Sequence, residues 1–171
     1  MKKILLILFA LPFFLSSCED TLDSITSIAT FESAITGDVE KQFDGTAAFV
    51  HVINESTTPN GSILSIALSL ATDQSELISL TVSNVTTDGI AAGTYKVGVL
   101  DNKGHVFLPF YETEAITYNL PVPSAINTIT ISSVTDLRVK GEFEINVFDV
   151  VSNKTVKIVG TFDAAGKTET K

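Results

Sequence analysis

The sequence predicts an all-β protein, an antiparallel β-sandwich or barrel-like sheet of about eight to ten strands. Three observations carry this. Apolar and polar residues alternate through segments rich in Thr, Val, Ile and Phe, the pattern of half-buried strands. Gly, Asn, Asp and Pro turn signals separate these segments at short intervals. No stretch supplies the amphipathic crossover helices that a parallel βαβ architecture needs.

Ala29 to Ile35 reads as the first strand, stopped by Gly37-Asp38. Ala47 to Val52 is the second, ending in the turn-rich stretch 54–61. Ser62 to Ala71 and Glu76 to Val85 pair as a hairpin, although Leu64, Ala67, Leu68 and Ala71 also satisfy a helical spacing. Gly93 to Val97, His105 to Tyr111 and Ala115 to Leu120 follow, and Pro121-Val122-Pro123 is expected to interrupt any sheet there.

Thr128 to Ile131 is a strand on alternation alone. Val139 to Val151 and Thr155 to Phe162 form a hairpin about Ser152-Asn153-Lys154. Phe143, Ile145 and Val147 share a face with Val156, Ile158 and Phe162, because strand parity is kept across the turn.

The chain has 171 residues, 20 acidic against 11 basic, for a formal net charge of −9. Such a balance excludes nucleic acid as a natural partner, since no basic stripe is available for phosphates. The single cysteine rules out an intrachain disulfide.

That cysteine, Cys18, ends a distinctive beginning. Lys2 and Lys3 precede the apolar run Ile4 to Leu15, which falls short of the roughly 20 residues that span a bilayer and fits a removable export signal. Leu15-Ser16-Ser17-Cys18 resembles the lipobox of bacterial lipoproteins, in which the cysteine is acylated and becomes the first residue. The resemblance implies that residues 1–17 are removed, 18–26 form an acidic tether, and 27–171 form one domain. It also implies a membrane partnership through acyl chains on Cys18.

The acidic start of the tether resembles the signal that sends Bacteroidota-type lipoproteins to the outer face of the outer membrane. Asp20-Thr21-Leu22 and Asp23-Ser24-Ile25 resemble the O-glycosylation motif of that group, making Thr21 and Ser24 candidates for modification. Gly93-Thr94-Tyr95, Thr128 to Ile131, Gly141 to Glu144 and Val156 to Phe162 resemble the strand pattern of small uncharacterised lipoproteins of the same group. That likeness implies a β fold and is silent on activity, since the group offers no established catalytic residues to carry over; this chain lacks the tryptophan expected near its first strand.

The residues offer little to an enzyme. No Gly-x-Ser-x-Gly run is present to expose a catalytic serine. His51 and His105 stand apart from any ligand-spaced cluster, and the loops at 87–89 and 101–104 read as turns rather than calcium loops, so neither metal nor cofactor is expected. Glu112 with Glu114, and Glu142 with Glu144, sit two apart on a strand and could meet the spacing of a glycosidase pair. An acidic solvated strand face produces the same pattern.

Phe107, Phe110, Tyr111 and Tyr118 are the one aromatic concentration and the candidate ligand-lining residues. The expected function is a tethered, non-enzymatic binding or structural module, with a glycan, a protein or an apolar small molecule as the ligand class. The alternative is a lipocalin-like barrel with Phe107, Phe110 and Tyr118 turned inward.

Overall fold

The computed structural model describes residues 29–55, 61–70, 75–98 and 104–171. Cys18, Thr21, Ser24 and the proposed signal and tether lie outside the described residues. The described chain is all-β, as predicted. It comprises β1 (Thr30–Gly37), β2 (Lys41–Asn54), β3 (Gly61–Ser69), β4 (Leu77–Asn84), β5 (Gly93–Lys96) and β6 (Val106–Glu112). These are followed by β7 (Thr117–Tyr118), β8 (Leu120–Pro121), β9 (Thr128–Val134), β10 (Arg138–Asp149) and β11 (Lys154–Thr170).

All the strands belong to one sheet, in the order β5-β9-β10-β11-β1-β2-β3-β4-β6-β7, with β8 on the side of β10. Val97, just after β5, makes a parallel bridge to Phe107 of β6, so the two ends of this path meet and the sheet curls around a single core.

The C-terminal hairpin has the register that side-chain parity requires: Phe143 faces Gly160, Ile145 faces Ile158 and Val147 faces Val156. Asn153 takes the left-handed conformation at its tip, with φ 55°. The Asp149 carboxylate holds the turn by accepting hydrogen bonds from the amides of Val151 and Ser152. Asn tolerates this backbone region better than other side chains. The segments at 62–71 and 76–85 are strands rather than helices: Leu64, Ile66 and Leu68 alternate inward opposite Val82, Leu80 and Ile78.

Two strands run much longer than their alternation suggests. β1 lies between β11 and β2, pairing Thr30–Gly37 with Asp163–Val156 on one side and Thr30–Ile35 with Thr46–Lys41 on the other. Where β1 begins, β11 and β2 close directly on each other as a parallel pair, Ala165 opposite Ala48 through Thr170 opposite Ile53. This pairing continues β11 through 166–170, a stretch whose sequence has no clear alternation. By contrast, the strand expected over 115–120 is broken into the two-residue pieces β7 and β8. Pro121 does not interrupt the sheet: as part of β8 it pairs with Val147 on a short edge, where a missing N–H leaves little of the ladder unmade.

Phe31, Phe43, Phe107, Tyr111 and Tyr118 are the largest side chains of the core. Leu64, Ile66, Leu80, Ile145 and Ile158 have no accessible surface at all. A wall residue of a water-sized cavity would keep some, so these side chains touch protein on every side. Near the middle of the sheet the packing is close enough to demand glycine. A Cβ at Gly160 would sit 2.6 Å from the Glu32 carbonyl oxygen and 2.7 Å from the Ser33 Cβ, and at Gly141 it would strike the Thr130 carbonyl beside a register shift between Lys140 and Gly141.

Candidate functional site

With its inner face filled, the sheet offers its outer face and its ends. A groove of about 470 Å³ crosses the outer face of β1, β2, β9, β10 and β11. Register assembles its walls. Glu32 lies opposite both Asp44 and Thr161, Thr161 opposite Glu142, Glu142 opposite Thr130, and Thr130 opposite Thr94. The neighbouring row runs Gln42, Ala34, Val159, Glu144 and Thr128. These residues point outward because strand parity sends Phe31, Ser33, Phe143 and Phe162 inward.

The floor is low where Gly160 lies between Ser33 and Phe143. Ser33 is buried there, its hydroxyl donating to the Phe43 carbonyl at 2.7 Å.

The groove is therefore a surface of carboxylates, one amide and hydroxyls around the short apolar strip Ala34–Val159. Lys157 pairs with Glu144 at 2.8 Å, and the Thr94 and Thr130 hydroxyls meet at 3.1 Å. Beyond one end Asp163 is held by Arg138 at 2.6 Å and Lys140 at 2.9 Å, and the Arg138 hydrogen bond keeps its carboxyl below the usual range. Glu142 and Glu144 thus share one cleft with Glu32. Two strand spacings separate Glu32 from Glu142, roughly 10 Å between backbones. Glu112 and Glu114 are not in this groove.

The aromatic residues are placed differently from a ligand-lining set. Phe107, Tyr111 and Tyr118 are buried in the core, Tyr111 and Tyr118 stacked at 5.4 Å and Phe43 tilted against Tyr111 at 6.4 Å. Burial, with the Glu76 carboxylate nearby, pushes the Tyr111 phenol well above its ordinary pKa. Phe110 departs from the inward orientation expected for a lipocalin-like barrel. It stands two residues from Leu108 and one from the inward-facing Tyr111, so parity puts Phe110 on the outer face with Leu108.

Both histidines are buried and structural. His51 Nε2 accepts the Ile90 amide at 3.1 Å, which requires the neutral ring, and burial lowers its pKa. His105 lies edge-on to Tyr95, with ring centroids 4.9 Å apart, and its Nε2 is 3.4 Å from Asn84 Nδ2. It borders a second recess of about 220 Å³. Asn84 ties this end together: its carbonyl accepts from Ser62 and Thr86, and its amide donates to the Asp88 carbonyl at 2.7 Å. The loop at 87–89 is accordingly a closed turn. Among the described residues no three His, Cys, Asp or Glu side chains converge as a metal site. Most of 101–104 lies outside the described residues.

A third recess, about 540 Å³, lies between Lys96–Gly98 and Pro121–Thr128 at one end of the sheet. No protein-family model, curated protein or solved structure matches this chain.

Proposed function

We propose that this protein is a lipid-anchored component of the bacterial cell envelope that works as a non-enzymatic binding or structural module. The lipobox-like segment ending at Cys18 supports the anchor, and the acidic stretch after it supports placement at the outer membrane, on the cell surface. The binding role rests chiefly on the groove across β1, β2, β9, β10 and β11, a concave surface at which side chains from five strands converge.

Its chemistry suits a polar, hydroxyl-rich ligand such as a glycan. Carboxylates, the Gln42 amide and threonine hydroxyls can each exchange hydrogen bonds with sugar hydroxyls. The lipocalin-like alternative would place its ligand inside the sheet, where Phe107 and Tyr118 are buried. Thr21 and Ser24 remain candidates for O-glycosylation on the tether.

The anchor and the groove are tested separately. Cys18→Ala should abolish incorporation of labelled palmitate and release the protein from the membrane fraction; unchanged labelling would refute the anchor. On a glycan array, the chain should give signals that fall when Glu32→Gln and Glu142→Gln are combined. An array with no signal removes the glycan reading; no signal on protein and lipid arrays as well would leave a structural role.

A further inference from the structure

A strap, residues 85–92, joins β4 to β5 across one end of the sheet, and buried side chains hold its backbone. Asn84 Nδ2 and Ser62 Oγ both donate to the Asp88 carbonyl, at 2.7 and 3.0 Å, and the Tyr95 hydroxyl donates to the Ala91 carbonyl at 2.7 Å. Between these points Ile90 is buried in the core, and its amide donates to His51 Nε2. The strap lies directly on the imidazole: a Cβ at Gly89 would sit 3.1 Å from the His51 Cε1.

Of these anchors only His51 can lose its acceptor near neutral pH. With Nε2 accepting, the ring proton is on Nδ1, which is buried without a hydrogen-bond partner among the described residues. A second proton would go onto Nε2 and face the Ile90 N–H. Two donors would then meet in a buried site, at the full cost of leaving both unsatisfied.

The protonated ring has another partner within electrostatic reach. The Asp136 carboxylate, in the turn between β9 and β10, favours the cation. Asp88 belongs to the strap itself. Lys167 and Glu169 flank Thr168, the β11 residue opposite His51; parity turns those two outward, where they pair with each other. Leu64 lies opposite His51 on β3, and His105, beside Asn84 and Tyr95, is the other imidazole at this end.

We propose that residues 85–92 are an acid-released strap: protonation moves His51 from the Ile90 amide to the Asp136 carboxylate, Ile90 leaves the core, and the recess of about 220 Å³ beside the strap opens inward. Burial holds the pKa of the covered ring below its ordinary value of about 6.5, so the closed form binds the proton less well than the open one. The strap is therefore shut above about pH 6.5 and loosens as the pH falls toward the closed value, by at most about tenfold per pH unit.

The test is amide hydrogen exchange of the full chain, followed residue by residue by NMR from pH 8 to pH 5 and expressed as protection relative to an unstructured peptide. Ile90 should be less protected than Ile145 and Ile158 by about tenfold or more at every pH, because the strap opens without the sheet. Its protection should fall by up to about tenfold per pH unit below about pH 6.5. In His51→Gln, whose amide oxygen keeps an acceptor in place without titrating, Ile90 protection should not vary with pH. Asp136→Asn, a change in an exposed turn, should leave the strap closed at pH 8 and shift its release to lower pH. Equal protection at Ile90, Ile145 and Ile158 overturns the proposal, since the strap would then open only with the whole fold. A flat profile in the native chain overturns it too, as does a pH dependence that survives in His51→Gln, which would belong to His105. An unchanged profile in Asp136→Asn overturns the exchange of partners. The native chain and Asp136→Asn decide the matter even where His51→Gln does not fold.

Discussion

Gly160→Ala is a one-methyl change whose cost follows from the geometry of the groove floor. The added Cβ would lie 2.6 Å from the Glu32 carbonyl oxygen, 2.7 Å from the Ser33 Cβ and 3.0 Å from the Phe143 ring. Ordinary contact begins near 3.4 Å, so β1 must retreat by roughly 0.7–0.8 Å from a strand with which it shares a ladder. Overpacking of this kind costs about 1–3 kcal/mol. Removing a glycine from the unfolded chain returns about 0.4–1 kcal/mol.

The net loss is about 1.3 kcal/mol, or roughly 3–5 °C in Tm for a domain of this size. Thermal and urea unfolding followed by circular dichroism measures it. Gly93→Ala is the matched control, because its Cβ would find nothing nearer than the Tyr95 hydroxyl at 3.7 Å, and it should change stability by less than about 0.5 kcal/mol. If the two variants unfold together, close backbone approach at Gly160 does not hold β1 and β11 at their present distance.

His51 is neutral in the fold because its Nε2 accepts the Ile90 amide in a buried site, and burial sets its folded pKa below the unfolded value of about 6.5. The unfolded chain therefore binds the extra proton first. Stability is full above about pH 6.5 and declines as the pH falls toward the folded value, by at most about 1.4 kcal/mol per pH unit. Urea midpoints from pH 8 to pH 5 should show this decline in the native chain and a shallower one in His51→Gln; parallel profiles would remove His51 as its source. At the hairpin tip, Asn153→Val should cost about 1–2 kcal/mol because φ is 55° there, while Asn153→Gly should be nearly neutral. Equal midpoints for the two variants would show that the turn relaxes freely.

The parts of the fold that were legible in the sequence are those where local pattern and final environment agree. Val139 to Val147 and Val156 to Phe162 largely alternate because one face of the hairpin is core and the other water, and Asn153 marks the turn that joins them in register. The segment 166–170 was not legible, because its strand state comes from β2, more than a hundred residues away.

The groove was half visible. Glu142 and Glu144 could be placed on one face, but Glu32 joins them only because β1 pairs with β11, a contact no local pattern encodes. The aromatic cluster was ambiguous for a related reason. Phe107, Tyr111 and Tyr118 have the composition of a binding wall and the same composition as a packed interior, and only the closure of the sheet around them decides between the two.

The partner exchange of β11 also sets the order in which this protein can be completed. Its first part flanks β1 and β10, and its last part flanks β2. A chain emerging from its N-terminus can form the β2–β3–β4 meander early, yet β1 and β10 each lack a neighbour until Lys154–Thr170 arrives. Closure waits for β11 to be delivered, and long-range pairings of this kind form slowly. Until β11 has been made the chain stays open, the condition in which a polypeptide can still be threaded through a narrow pore.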